Sequence, residues 1–88
     1  MKLTKIQKQI KKITKDISKL LISKNRSYGN SALAPLRIFS KASAKEQILV
    51  RIDDKLSRIA RGNNFRDEDT IEDLIGYLVL LKIANKSK

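Results

Sequence analysis

The sequence predicts an all-α protein: a bundle of three long helices and one short helix, expected to be oligomeric. Three observations favour this fold class. Apolar residues recur at helical spacing in three segments, helix-capping residues precede two of them, and no segment alternates cleanly like a strand. A chain of 88 residues fits one domain, 1–88. Within it we expect a Lys-rich amphipathic helix (1–24), a polar loop with a short helix (25–42) and a helical hairpin (44–84).

The first helix, residues 3–24, carries one apolar stripe with the 3,4 spacing of a heptad. The stripe consists of Leu3, Ile6, Ile10, Ile13, Ile17 and Leu20. Eight lysines against the single Asp16 give residues 2–24 a net charge of +7. Three interpretations remain open: a core-facing stripe under a solvated lysine face, a helix that pairs with a copy of itself, or a face that binds a polyanion. Isoleucine at both stripe positions leaves the number of strands undetermined.

A polar loop and a short helix are predicted to follow. Residues 25–34 form the loop because they contain the turn formers Asn25, Gly29, Asn30 and Ser31. Pro35 suits the first turn of a short helix that includes Ile38 and Phe39 and runs to Ala42.

The second long helix is predicted over residues 44–61. Ser43 and Glu46 form a capping box before it, and Gly62 suits the left-handed position after it. A helical wheel assigns one face to the core, formed by Ile48, Leu49, Ile52, Leu56, Ile59 and Ala60. The polar residues along the borders of this face are therefore expected to be half-buried.

The third helix is apolar around almost its whole circumference. Residues 63–66 turn the chain, and Asp67 or Asp69 caps a helix that runs to about Ala84. Its apolar residues are Ile71, Leu74, Ile75, Leu78, Val79, Leu80, Leu81 and Ile83. Such a helix has to be buried on all sides, which two partner helices do not achieve. We therefore expect a second subunit to cover the remaining face.

Composition limits the possible functions. The chain has no cysteine and no histidine, which excludes disulfides, thiolate metal sites and a histidine general base. A net charge of +11 predicts anionic partners, and the three classes are nucleotides, nucleic acid and an anionic membrane. No apolar run reaches the length of a bilayer, and the N-terminal isoleucines are spaced, so we expect no membrane partner, no signal peptide and a cytoplasmic location.

The polar loop offers groups suited to a nucleobase. Tyr28 presents a face for stacking, and the amides of Asn25 and Asn30 both donate and accept hydrogen bonds. Gly29 lets the backbone approach a ligand closely. The alternative is an ordinary loop with Tyr28 packed on the bundle.

A row of cations on the second helix is suited to phosphate. Arg51, Lys55 and Arg58 stack at i, i+4 and i+7, and Arg37 and Lys41 follow the loop closely in sequence. The alternative is ion pairing of the helix cations with Asp54 and with acids of the third helix.

Two pairs of carboxylates could bind a metal ion. Glu46 and Asp53 share one flank of the second helix, and Asp69 and Asp73 share one flank of the third. If these helices pack antiparallel, the pairs could converge on Mg²⁺, which prefers oxygen ligands. The alternative is that Asp69 caps its helix and that Asp53 and Asp73 pair with arginine.

Four strings of sequence resemble known proteins. They are KNRSYGNSA (24–32), LRIFSK (36–41), RIDDKLSRI (51–59) and DLIGYLVLL (73–81). In this order they resemble a family of small phage and bacterial proteins, which implies a phage-encoded protein acting in the host cytoplasm. DLIGYLVLL also resembles the final helix of MazG-like all-α nucleotide pyrophosphohydrolases. That resemblance implies Mg²⁺ held by Glu-x-x-Glu and Glu-x-x-Asp pairs, from which this chain departs because its candidate pairs are spaced by seven and by four.

Three functions follow from these features. The first is an oligomeric, non-enzymatic protein that binds, and by analogy with phage proteins sequesters, a nucleotide or cyclic-nucleotide signal; it needs no cofactor. The second is a Mg²⁺-dependent, MazG-like nucleoside triphosphate pyrophosphohydrolase. The third is non-specific nucleic-acid binding through the first helix.

Overall fold

The computed structural model describes residues 2–35, 37, 39–62 and 69–86. They form the helices α1 (Lys5–Tyr28), α2 (Ala44–Arg61) and α3 (Thr70–Lys86), and no strand lies among them. The all-α fold class is therefore confirmed for the described part of the chain.

Helix α3 is the centre of the molecule. Helix α2 packs along α3 over much of its length, whereas α1 contacts α3 over a short stretch. The buried apolar side chains are Ile17 from α1 and Ile48 and Ile52 from α2, and Gly76 of α3 is buried with them. This arrangement leaves much of α1 outside the bundle, in a molecule 51 Å long and 23 Å thick.

Side-chain caps determine where the helices begin. Thr4 and Gln7 form a capping box at the start of α1, which the sequence analysis did not predict. Ser43 Oγ accepts a hydrogen bond from the Glu46 N–H, which starts α2 at the predicted residue. Asp69 Oδ1 accepts from the Glu72 N–H, so Asp69 caps α3 as predicted.

The helix ends differ in how well the sequence predicted them. Helix α2 ends at Arg61, and Gly62 adopts the predicted left-handed conformation. Helix α1 continues to Tyr28 instead of ending at 24, because none of residues 25–28 breaks a helix and Gly29 supplies the positive φ that ends it. Asp67, the turn at 63–66 and residues 87–88 lie outside the described residues.

The predicted short helix is wrong for the described residues between Pro35 and Ser43. Arg37 has a φ of 59°, which a right-handed helix cannot include. Side chains satisfy the backbone here instead: the Ala42 N–H donates to Ser40 Oγ, and Gln47 donates to the Ala42 carbonyl. Phe39 is 96% exposed, so it provides no packing that would favour a helix. Ile38 lies outside the described residues.

Many apolar side chains are exposed in the single chain. The prediction that Leu49, Leu56, Ile59 and Ala60 of α2 are buried is wrong, because α3 is the one helix of the described residues that covers α2. Helix α3 exposes apolar side chains as expected, at Ile71, Leu78, Val79 and Ile83. The second subunit that would cover them stays a prediction. None of the helices is long and apolar enough to cross a membrane, within the residues described.

Candidate functional site

A cavity of about 300 Å³ lies between the C-terminal half of α1, the turn after it and the first half of α3. Helix α1 and the turn contribute Ile17, Leu20, Leu21, Lys24, Asn25, Tyr28, Gly29, Asn30 and Ala32. Helix α3 contributes Glu72, Asp73, Gly76, Tyr77 and Leu80. We call this cavity the groove. It contains all three loop residues predicted to contact a base.

The floor of the groove lies where α1 and α3 are in close contact, at Leu21 and Gly76. A Cβ atom at Gly76 would lie 3.0 Å from Leu21 Cδ2, a tighter contact than side chains normally make. Glycine therefore allows the two helices to approach each other here. Tyr77, the next residue, is half-buried and lines the groove.

The turn that closes one end of the groove is shaped by Gly29 and Asn30. Gly29 has φ 66° and ψ −149°, a conformation essentially restricted to glycine. Asn25 Nδ2 donates to the Gly29 carbonyl at 3.3 Å, so part of this amide supports the turn. The Asn30 carbonyl accepts from the N–H groups of Leu33 and Ala34, and Asn30 lines the groove.

Three charged residues line the groove, and one of them, Asp73, pairs with two lysines. Asp73 pairs with Lys24 Nζ of α1 at 3.6 Å and with Lys55 Nζ of α2 at 3.4 Å. The Lys55 side chain is only 11% exposed, whereas that of Lys24 is 50% exposed. Lys24 therefore faces solvent at the groove while Lys55 holds Asp73 from the α2 side. Glu72 is the third charged lining residue.

The cations predicted to hold phosphate do not line the groove. Arg58 pairs with Asp54 on its own helix at 3.4 Å, and Lys55 pairs with Asp73. Both contacts match the ion-pairing alternative considered for this helix. The remaining three, Arg37, Lys41 and Arg51, are exposed outside the groove.

The candidate metal ligands do not form a shared site among the described residues. Asp69 caps α3, Asp73 is held by two lysines, and Glu46 and Asp53 are exposed on α2. No group of three acidic, histidine or cysteine side chains in residues 2–35, 37, 39–62 and 69–86 could hold a metal ion. These residues do not fit the Mg²⁺ ligand set that the MazG-like resemblance implies.

The lysine face of α1 is a separate surface. Lys8, Lys11, Lys12, Lys15 and Lys19 border an open depression together with Leu3 and Asp16. All are exposed, and Lys12 pairs with Asp16 at 3.2 Å. Most of the positive charge of the chain therefore lies away from the groove.

Among the polar lining residues, sequence reasoning missed Lys24, Glu72 and Tyr77. Two signals could have identified two of them. Gly76 and Tyr77 interrupt the aliphatic run of α3, and Lys24 directly precedes the predicted base contact Asn25. Nothing in the spacing of Glu72 distinguishes it from a residue of a helix first turn.

Comparison of the chain with protein-family models, with curated proteins and with solved structures finds no significant match. The function is therefore inferred from the geometry of the site.

Proposed function

We propose that the chain binds a nucleotide without cleaving it, with the base and ribose in the groove and the phosphate at Lys24. The observation that carries this proposal is that Asn25, Tyr28 and Asn30 line one cavity with a second tyrosine, Tyr77. Aromatic faces and amides, arranged around a concave surface, are the groups that recognise a base.

The lining supports a base and a ribose better than it supports a polyphosphate. Tyr28 is exposed at the groove and Tyr77 is half-buried in it, so a base can stack on one and contact the other. Stacking on an aromatic side chain contributes about 1–3 kcal/mol per base. The carboxylate of Glu72 can accept hydrogen bonds from an exocyclic amine or from ribose hydroxyls.

Lys24 is the lining residue suited to a phosphate. Its pair with Asp73 is 3.6 Å long and half-exposed, so solvent already screens it. When Lys24 turns to a phosphate, Asp73 keeps its contact with Lys55. The change therefore leaves Asp73 with a cation partner.

The size of the groove limits the ligand. A volume of about 300 Å³ lies at the lower end of the range for small-molecule sites, which suits one nucleoside unit. A cyclic dinucleotide would extend out of one groove or occupy two grooves of an oligomer. Sequestration of a signal by a homo-oligomer, in the cytoplasm of a phage host, is the biological role we propose.

Calorimetry with matched variants tests this proposal. The ligands are a nucleoside monophosphate, a triphosphate, a cyclic mononucleotide and a cyclic dinucleotide. We expect Tyr28→Ala and Lys24→Met each to weaken binding by about tenfold or more. The controls remove the same groups elsewhere: Phe39→Ala, an exposed aromatic outside the groove, and Lys11→Met, on the lysine face. Absence of binding to every ligand at millimolar concentration would refute the proposal.

The same samples separate the two alternatives. A Mg²⁺-dependent pyrophosphohydrolase would release pyrophosphate from the triphosphate, whereas we expect the nucleotide to be recovered intact. Nucleic-acid binding would show as affinity for a single-stranded oligonucleotide that falls steeply with salt and that Lys11→Met weakens more than Lys24→Met does. The exposed lysine face is the observation that favours this second candidate.

A further inference from the structure

The N-terminal part of α1 carries an apolar stripe that the bundle does not cover. Ile6, Ile10 and Ile13 are 63%, 58% and 55% exposed, and Leu3 is exposed as well. Ile17, the next residue of the same stripe, is only 7% exposed because it packs in the bundle. We call residues 3–16 the arm. The stripe of the arm is continuous with the core, but the described residues of the bundle do not cover it.

Few contacts within the arm stabilise it as a helix. Its lysines repel one another at i, i+4, as in the pairs Lys8–Lys12 and Lys11–Lys15, and such pairs destabilise a helix. The capping box at Thr4 and the ion pair between Lys12 and Asp16 are the local stabilising contacts. A short helix that is not packed against anything is marginal in water. A partner on the stripe would stabilise it.

Charge placement favours a second copy of the chain as that partner. In the heptad of the stripe, the flanking positions within α1 hold Gln7, Gln9 and Thr14, which are uncharged, and the acidic Asp16, but no lysine. The lysines at 5, 8, 11, 12 and 15 fall on the opposite side of the helix. Two arms can therefore meet without bringing their lysines together. A polyanion would bind the lysine side and leave the stripe bare.

We propose that two arms pair antiparallel, with Ile6 of each arm opposite Ile10 of the second copy. In this register Gln9 meets the Gln9 of the other copy at the twofold axis. Ile13 of each arm then lies against the start of α1 in the second copy. The stripe is thereby covered up to the residue where each bundle begins.

A parallel pair fits the same surface less well. It would set the positive N-terminal ends of both helices side by side. It would also bring two bundles to the same end, where Ile17 is already buried in its own chain. The antiparallel register places the bundles at opposite ends.

Sedimentation of the full chain tests the surface. We expect a dimer that Ile6→Gln with Ile10→Gln weakens on the order of 1,000-fold, since four half-exposed isoleucines leave the interface. Lys8→Gln with Lys15→Gln, on the opposite side, is the matched control and should leave the dimer intact. A wild-type chain that stays monomeric at high micromolar concentration would overturn the proposal, as would a dimer that the isoleucine variant does not affect. Binding of a monomeric chain to phosphatidylserine vesicles through the isoleucines would assign the stripe to a membrane instead.

Single cysteines test the orientation, because the chain contains none of its own. Gln9→Cys should form a disulfide-linked dimer on mild oxidation, whereas Ile13→Cys should not, because the two Ile13 residues lie toward opposite ends of an antiparallel pair. The reverse result would establish a parallel pair and overturn the register. The stripe lies outside the groove, so the isoleucine variant should keep its nucleotide affinity, and Lys24→Met should keep the dimer. Each proposal can thus fail without the other.

Discussion

The two ion pairs of Asp73 should differ in strength, and the proposed role of Lys24 depends on that difference. The distances do not separate them, because 3.4 Å and 3.6 Å change the Coulomb energy by only about 6%. Exposure does separate them: Lys55 is 11% exposed and Lys24 is 50% exposed. Solvent therefore screens the Lys24 pair far more.

Typical magnitudes convert this difference into a prediction. Exposed pairs contribute about 0.2–1 kcal/mol, and we expect the Lys24–Asp73 pair to contribute about 0.3 kcal/mol. Breaking a fully buried pair costs about 3–5 kcal/mol. Because Asp73 itself is only half-buried, we expect about 1–2 kcal/mol for the Lys55–Asp73 pair.

Double-mutant cycles measure both couplings. The variants are Lys24→Met, Lys55→Met and Asp73→Asn with their two combinations, unfolded by urea at low micromolar concentration, where we expect the chain to be monomeric. Methionine keeps the apolar stem of lysine, so the cycles report charge more than packing. The effect of Asp73 on the start of α3 cancels within each cycle. If the coupling energy of Lys24–Asp73 equals or exceeds that of Lys55–Asp73, the pair with Asp73 holds Lys24 too strongly. The proposed role of Lys24 in binding a phosphate is then wrong.

Two further predictions concern the backbone of the turn and the core. Gly29→Ala should lower the free energy of unfolding by about 1–3 kcal/mol, because alanine does not tolerate φ 66° with ψ −149°. Gly62→Asn is the control, because Gly62 has an ordinary left-handed conformation, which asparagine adopts. It should lower the free energy of unfolding by clearly less in the same urea experiment. Thr70 is 3% exposed, and its Oγ1 has no hydrogen-bond partner among the described residues, so Thr70→Val should raise the free energy of unfolding by about 1 kcal/mol. Thr70→Ser keeps the hydroxyl and loses the methyl group; it should not stabilise, and a gain there would contradict this account.

The sequence predicted the elements whose ends are set by local chemistry. Ser43, Gly62 and Asp69 act within one turn of their own positions, so their patterns indicated the start and end of α2 and the start of α3. The prediction of a short helix was wrong because Pro35 is compatible with the first turn of a helix but does not by itself stabilise one. In the structure Arg37 has a positive φ, and Phe39 has no packing that would stabilise a helix.

The site was predictable only in part, because its partners come from distant segments. The loop residues Asn25, Tyr28 and Asn30 were selected for their chemistry, and they do lie together on one cavity. Which α3 residues join them, Glu72, Asp73 and Tyr77, depends on where α3 crosses α1, which periodicity does not give. The spacing of Lys55 and Arg58 suggested a shared phosphate site. In the structure both cations contact carboxylates, Lys55 on α3 and Arg58 on α2.

The groove does not share the strongly basic character of the chain. The net charge of +11 suggested a phosphate pocket, but the groove itself sets Lys24 against Glu72 and Asp73. We expect such a lining to discriminate against highly charged ligands, since additional phosphates meet the carboxylate of Glu72 and one ammonium group, that of Lys24. The lysines that border the depression on α1 lie outside the groove. The groove should accordingly prefer a ligand with one phosphate group over a triphosphate, despite the strongly basic chain that carries it.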